Sequence, residues 1–540
     1  MNKMSILSIT AALLAPLAVL PAAEAVRKPN IVFIVADDLG YGDLVCYGGK
    51  LAPTPSIDAL ARGGIRCTDG YVTAPVCAPS RCGIMTGAYN QRFGMQWNED
   101  HWLGHAYSVP ATHRLLPQAL KAADYVTGHI GKWNIGSDIK NNFDETYDVI
   151  DWEADYFPKA DGHYVGVDDP KKSDSSKING AWGPEKPGDE YLTDRIGRHA
   201  VEFIDKHQAQ PFFLYLAFNA VHSPWSAKTA YRERFAHIKD PPLNLYAAML
   251  TSLDENVGRV LAKLKAAGLE ENTLVVFISD NGPAQGGAYV KGWPDSWPRK
   301  IVVGSAGPLR GHKAEFLEGG IREPFILRWP ARLKPAETYH QPVSSMDLYP
   351  TFCAAAGAPV PAGTKLDGVN LLPYLSGEKP GAPHEILFWK TTWSNGDEGA
   401  VRQGDWKLLI NKAAPRFQLF NLAEDQGEEH DLAVGKTEQV EKLHQAWLDW
   451  GATLPPRSNP PSTQPGKGKQ PVAAGAKPVQ DRSAIFDLKD KNLDGRLSQA
   501  EFLASQPDLD AAKTRFGQWD ANKDGFLSRG EFVGMGKAAK

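Results

Sequence analysis

Ile31-Val32-Phe33-Ile34-Val35-Ala36 runs directly into Asp37-Asp38-Leu39-Gly40-Tyr41-Gly42-Asp43. An unbroken apolar run rich in β-branched residues reads as a strand buried on both faces, as in a parallel sheet covered by helices. It ends in two adjacent carboxylates, which repel each other unless a cation lies between them. Leu274-Val275-Val276-Phe277-Ile278-Ser279 repeats the pattern and ends in Asp280-Asn281-Gly282. In an open α/β sheet ligands gather beyond the carboxyl ends of the strands. The two acidic pairs are therefore expected to meet at one oxygen-rich site suited to Ca²⁺ or Mg²⁺. Taken singly, each pair also reads as a turn or a helix cap, since Asp and Asn favour both. A third apolar run, Leu214-Tyr215-Leu216-Ala217-Phe218, leads to Val221-His222-Ser223-Pro224.

The rest of the composition bounds the setting. At about 100–200 residues per domain, 540 residues make three to five units, or one large α/β domain with additions. With 42% hydrophobic and 23% charged residues the chain is of ordinary globular type, and its net charge of -4 argues against a broad nucleic-acid surface. An anionic substrate must then be met by a local basic pocket. Residues 1–25 read as a signal peptide: a basic start, an apolar run broken by Pro16 and Pro21, and Ala23-Glu24-Ala25 as a cleavage site. The expected location is secreted or periplasmic, with no membrane span elsewhere. The remaining cysteines besides Cys77 are Cys46, Cys67, Cys82 and Cys353, enough for two disulfides or none.

Cys77-Ala78-Pro79-Ser80-Arg81-Cys82-Gly83-Ile84-Met85-Thr86-Gly87 carries the chemistry. Pro79 suits the first turn of a helix. Cys77 then stands at or just before a helix N-terminus, where free N–H groups favour an anion. Arg81, one turn on, is placed to offer a planar fork to a tetrahedral oxyanion. The bland reading, a buried or disulfide-bonded loop cysteine, does not account for Pro, Arg and Thr-Gly in register. The stretch resembles the signature of the type I, formylglycine-dependent sulfatases, with arylsulfatase-like character.

That resemblance implies an alkaline-phosphatase-like α/β core, a mixed or parallel sheet flanked by helices, and a smaller C-terminal antiparallel subdomain. It implies that a maturation enzyme oxidises Cys77 to formylglycine, whose hydrated aldehyde supplies the nucleophile. It also implies a Ca²⁺ held by Asp37, Asp38, Asp280, Asn281 and the modified Cys77. Gly131-Lys132-Trp133-Asn134-Ile135-Gly136 resembles the family's Gly-Lys-Trp-His-Leu-Gly, whose lysine contacts the sulfate. His222 corresponds to the strand-end histidine that helps bind or protonate the leaving oxygen. Arg310-Gly311-His312-Lys313, followed by Glu318-Gly319-Gly320-Ile321-Arg322-Glu323-Pro324, matches the block whose lysine, here Lys313, reaches the sulfate. Read without the resemblance, a single lysine is a solvated charge, and Glu318 onward is a glycine turn into the strand Phe325-Ile326-Leu327-Arg328-Trp329. One position departs from the family: Asn134 stands where a histidine takes the proton that lets sulfate go. Asparagine is no base near neutral pH, which leaves His129, His312 or a water for that task, or a different route of sulfate release.

Residues 26–375 form the expected catalytic domain and 376–453 the C-terminal subdomain. In the latter, 385–393, 399–410 and 416–422 read as short strands broken by Asn-Gly and Gly-Asp turns, and 436–450 as a helix. Residues 454–480 are a Pro-rich linker. Residues 481–540 read as an all-α EF-hand pair with two twelve-residue calcium loops, for two further Ca²⁺. The first loop offers Asp490, Asn492, Asp494, Arg496 (backbone), Ser498 and Glu501, and the second Asp520, Asn522, Asp524, Phe526 (backbone), Ser528 and Glu531. Phe486, Phe502, Phe516 and Phe532 flank them as helix anchors.

The reading is thus an exported, calcium-dependent sulfatase acting on a sulfated small molecule or saccharide, with sulfated carbohydrate favoured by Trp293 and Trp297 between the Asp280 and Lys313 motifs. One rival is a phosphodiester or phosphonate monoester hydrolase of the same superfamily, whose members tend to show Asp-His where this chain has Asp280-Asn281. The other is a non-catalytic, calcium-stabilised binding protein, which has no need of Cys77 and Arg81.

Overall fold

The computed structural model describes residues 27–98, 100, 109–110, 112–136, 139–151, 154, 156–157, 190–223, 225–287, 300–457, 486, 489, 495–503 and 509–534. The expected signal peptide, the linker from 458 onward, Trp293, Trp297, Asp490, Asn492 and Asp494 lie outside them.

Eight strands form the main sheet: β1 (Asn30–Ala36), β2 (Ile65–Cys67), β3 (Val126–Lys132), β4 (Glu145–Ile150), β5 (Phe212–Ala217), β6 (Thr273–Ser279), β7 (Phe325–Arg328) and β8 (Glu337–Tyr339). Their spatial order is β8-β2-β7-β6-β1-β5-β3-β4. β1 lies at the centre, parallel to β5 and β6, and β3 is parallel to β5 and β4. β7 runs antiparallel to both β6 and β2, which makes the sheet mixed.

The apolar run of β1 is buried on both faces, as its composition requires. Val32, Ile34 and Ala36 enter one core cluster, and Ile31, Phe33 and Val35 the other. On the second face lie α1 (Cys77–Thr86) and α4 (Leu348–Ala356); the first is covered by α2 (Leu192–His207) and α3 (Pro241–Ala266). α3 starts cleanly because Pro241 occupies its first position and the Asp240 carboxylate accepts the Leu243 N–H at 3.1 Å.

The C-terminal sheet is antiparallel: β9 (Ile386–Trp393), β10 (Gly396–Gln403), β11 (Trp406–Ile410) and β12 (Phe417–Asn421), with α5 (Thr437–Ala452) packed on it. Its turns fall at the Asn395-Gly396 and Gly404-Asp405 signals. Its core is shared with the main body, since Tyr71, Phe316 and Ile321 join Trp389, Leu419 and Trp447. Two of its buried indoles find backbone acceptors: Trp389 donates to the Val72 carbonyl at 2.7 Å, and Trp447 to the Trp389 carbonyl at 2.8 Å. Leu454 and Arg457, the start of the Pro-rich tract, pack against this body rather than leaving it.

The tail is not wholly helical. β13 (Arg496–Ser498) and β14 (Phe526–Ser528) pair antiparallel, Leu497 opposite Leu527, because each loop leaves an extended segment whose N–H groups need partners. Around this pair Phe486, Leu497, Phe502, Ala512, Phe516, Leu527 and Phe532 form a separate core. All five cysteines are free thiols.

Candidate functional site

Four parallel strands deliver the site. Asp37 and Asp38 follow β1, Asp280 and Asn281 follow β6, Lys132 closes β3, and His222 follows β5. The first two loops are stitched together. The Asp280 N–H donates to the Ala36 carbonyl at 3.1 Å, and the Asp38 N–H to the Asp280 carboxylate at 3.2 Å. Ser279 Oγ accepts the Leu39 N–H and donates to the Asn281 carbonyl. Asp38 sits at φ 59°, a left-handed conformation that Asp tolerates better than most residues.

Cys77 opens α1, with Val76 as the preceding cap residue. Its Sγ lies 3.7 Å from Asp37 Oδ1 and accepts from Lys313 Nζ at 3.2 Å. Lys313 Nζ also reaches Asp38 Oδ1 at 2.5 Å, and Lys132 Nζ reaches Asp37 Oδ2 at 2.6 Å. His222 Nδ1 faces the Ser223 carbonyl, while its Nε2 lies 3.6 Å from Asp38 Oδ2. Ligating atoms of Asp37, Asp38, Cys77 and His222 all fall within 4.8 Å of one another.

Arg81 differs from its expected posture. Instead of holding its fork open, it places Nε and Nη2 on Asp280 Oδ2 at 2.8 and 2.7 Å, and donates Nη1 to the Lys132 carbonyl. Tyr215, in β5, stands 3.4 Å from Nη1 and was not marked by any sequence motif. The guanidinium thus ties three strand ends together.

Three carboxylates meet three cations, all buried except Lys313, whose side chain is partly exposed. Burial opposes ionisation of Asp37, but Lys132, His222 and Arg81 hold it below the usual range; Asp38 is held down likewise, chiefly by Lys313. Lys132 and Lys313 are raised by their carboxylates against the pull of burial. Burial pushes the Cys77 thiol up to about 12 despite both lysines, so the cysteine as translated is a neutral thiol. Two buried oxygens, Asp38 Oδ2 and Asn281 Oδ1, have no hydrogen-bond partner. Unpaired buried acceptors beside carboxylates suit a hard cation with oxygen ligands.

Asn134 follows β3 at φ 57°, fully buried, with neither amide atom paired. Gly131 before it is dictated by space: a Cβ there would lie 1.9 Å from the Ala217 carbonyl. Of the two histidines that could replace the missing base, His129 is caged by Trp133, Phe143 and Tyr215, and burial drives it down to about 3. His312 is partly exposed, its Nδ1 set against the Lys313 carbonyl at 2.8 Å.

The sulfatase family profile matches residues 29–358, more than half of the chain. The chain belongs to the sulfatase family. It is a sulfuric ester hydrolase. A second profile, N-sulphoglucosamine sulphohydrolase, C-terminal, matches residues 312–449. Human arylsulfatase A is 32% identical over 504 residues, covering 83% of this sulfatase and 92% of the relative. Among solved structures, Ps i-CgsB in complex with k-i-k-neocarrahexaose superposes with TM-score 0.69 at 33% identity, over 81% of this chain and 96% of that one. The PsFucS1 sulfatase from Pseudoalteromonas sp. gives 0.62 at 25%, over 79% and 90%.

In the tail of this sulfatase the second loop is wound around its own carboxylates. Asp520 accepts the N–H groups of Asp524 and Gly525, Asp524 that of Phe526, and Glu531 those of Ala521 and Ser528. In the first loop Glu501 accepts from Ser498 N–H and Oγ. Among the described residues no helix is long and apolar enough to cross a membrane.

Proposed function

We propose that this chain hydrolyses sulfate esters of saccharides, outside the cytoplasm, at the site where Cys77, Lys132, His222 and Lys313 meet the Asp37-Asp38 and Asp280-Asn281 pairs. The observation that carries the reading is the pair of lysines, Lys132 fully buried and Lys313 partly exposed, set against Cys77 and its neighbouring carboxylates. The two unpaired oxygens and the carboxylate set fit Ca²⁺ held by Asp37, Asp38, Asp280 and Asn281, and a bound Ca²⁺ supplies Lewis acidity toward a sulfuryl oxygen. Formylglycine made from Cys77 by a maturation enzyme supplies the nucleophilic hydroxyl that a neutral buried thiol does not.

The remaining work falls to side chains in place. Lys132 and Lys313 balance the charge that builds on the sulfuryl oxygens, where low dielectric makes each ammonium count. Arg81 keeps Asp280 and the Lys132 backbone in register. His222 sets Nδ1 against the Ser223 carbonyl, which leaves Nε2 to assist departure of the alcohol oxygen. Asn134 offers a donor and an acceptor but no base. The tail is read as an EF-hand pair that binds two Ca²⁺ as a structural or attachment module.

Saccharide specificity is supported by the likeness to Ps i-CgsB, itself solved with k-i-k-neocarrahexaose. The test is release of sulfate against phosphate from one aryl scaffold, then a screen of defined sulfated saccharides. Sulfate release at least about a hundredfold faster, nearly 3 kcal/mol in barrier, is expected. Preference for the phosphodiester or phosphonate would instead establish the rival hydrolase.

A further inference from the structure

Beyond the matched profiles, in the first residues of the Pro-rich tract, Arg457 is folded into the body. Its side chain and that of Asp100 are each 1% exposed. Nε and Nη2 of Arg457 donate to Asp100 Oδ1 at 3.1 and 2.7 Å, and Nη1 donates to the Thr392 carbonyl in β9 at 2.6 Å. The other Asp100 oxygen accepts the N–H groups of Gln96 at 2.8 Å and Trp97 at 2.9 Å, closing the turn between them. Gln96 is tied to the same strand, its Oε1 accepting the Thr392 N–H at 2.7 Å. Within that turn stands Asn98. Its Oδ1 accepts the N–H of Ala78 at 3.0 Å, the residue immediately after Cys77 in the first turn of α1.

We propose that Arg457 is a positioning residue for position 77, acting through Asp100 and Asn98 on the first turn of α1. An N–H at the start of a helix has no partner inside the helix, and here a side-chain oxygen takes that of Ala78. That oxygen is placed by a turn whose only described acidic brace is Asp100, a buried carboxylate held by a buried guanidinium. Losing Arg457 leaves Asp100 buried beside two N–H groups but without its cation, so the turn must open or admit water. Asn98 then moves, and with it the residue bonded to the nucleophilic position. Catalysis is sensitive to such shifts, since displacement by an ångström or so can cost about a hundredfold. The proposal rests on position 77 being the reactive one in a sulfatase.

The test uses full-length protein and an aryl sulfate, with kcat and KM normalised to the fraction of position 77 converted, read by peptide mass spectrometry. Asn98→Ala removes only the link to α1 and leaves the buried ion pair. Arg457→Met removes the brace. Should Arg457→Met not fold, Asp100→Asn with Arg457→Met removes the unpaired charge and takes its place. Each change is expected to lower kcat about tenfold with KM little altered, and the combined variant to lose no more than either alone, because the two act in series. Full additivity, about a hundredfold loss in the combined variant, would overturn the proposal. So would unchanged kcat in Arg457→Met, even if its Tm falls. Absence of sulfate release by the unaltered enzyme would instead refute the sulfatase reading on which the proposal stands.

Discussion

Residue-level charge decides more of this molecule than its net charge of -4 conveys. His384 illustrates it away from the site. Its Nε2 lies 2.8 Å from Asp347 Oδ1, and Asp347 also accepts the N–H groups of Ser344 and Val369. Burial alone would lower the imidazole, but Asp347 prevails and raises it above its ordinary value. The stabilisation is therefore complete below about 6.5, the value in an unfolded chain, and is lost as pH rises through the higher folded value. We predict that His384→Gln lowers Tm clearly near pH 6 and much less near pH 9. A gap in Tm that does not change with pH would contradict it. At this scale most of the site was legible. Asp37, Asp38, Cys77, Lys132, His222, Asp280, Asn281 and Lys313 each sit in a local motif at a strand or helix end. Arg81 was legible as a site residue but not in its posture, because its partners come from other strands. Asn98, Tyr215 and Arg457 carried no signal: their partners are set by the fold, and a lone Asn, Tyr or Arg in sequence has many ordinary uses.

Among the elements, the decisive joint is between the C-terminal sheet and the loop that carries Lys313. Lys407 of β11, fully buried, reaches Glu318 at 2.7 Å and Glu428 at 2.8 Å. Glu318 also meets Arg322 at 3.2 Å and the Tyr71 hydroxyl at 2.6 Å. Burial would raise its carboxyl, yet Lys407, Arg322 and Arg402 bring it down to about 2. Arg310 donates to the Glu428 carbonyl, and the Gly319 N–H to the Arg310 carbonyl, so the cluster anchors the 310–320 segment. Removing one partner of a buried ion pair costs about 3–5 kcal/mol. Lys407→Met is therefore expected to lose stability in that range, read from urea midpoints, and adding Glu428→Gln to recover part of it. A loss below about 1 kcal/mol would mean the cluster does not join the two parts. The central parallel strands were legible as apolar runs, and the C-terminal hairpins from their turn residues. β4 was not, because its residues are half-exposed and mixed in polarity. Nor was the reversed direction of β7, since a strand's composition is the same whichever way it runs.

At the scale of the whole chain, catalysis and tail are expected to be separable, with the dividing point set by Arg457. A chain ending after Ser458 keeps the rate on an aryl sulfate, whereas one ending at Pro455 loses about tenfold because it lacks the brace on Asp100. The tail is expected to be compact in calcium and to lose helix in chelator, where its clustered carboxylates repel, as circular dichroism of the full chain against the shortened one would read. Equal spectra with and without calcium would remove the EF-hand reading.

Position 77 bears the account's central claim, that a modified cysteine among two lysines and a cation site hydrolyses sulfate esters. The most direct measurement is peptide mass spectrometry across residues 77–87 on preparations of graded activity, each assayed for sulfate release, with Cys77→Ala alongside. The account predicts that activity rises in proportion to the aldehyde form at position 77 and that Cys77→Ala, though folded, releases no sulfate. Full activity in protein whose Cys77 remains an unmodified thiol would contradict it.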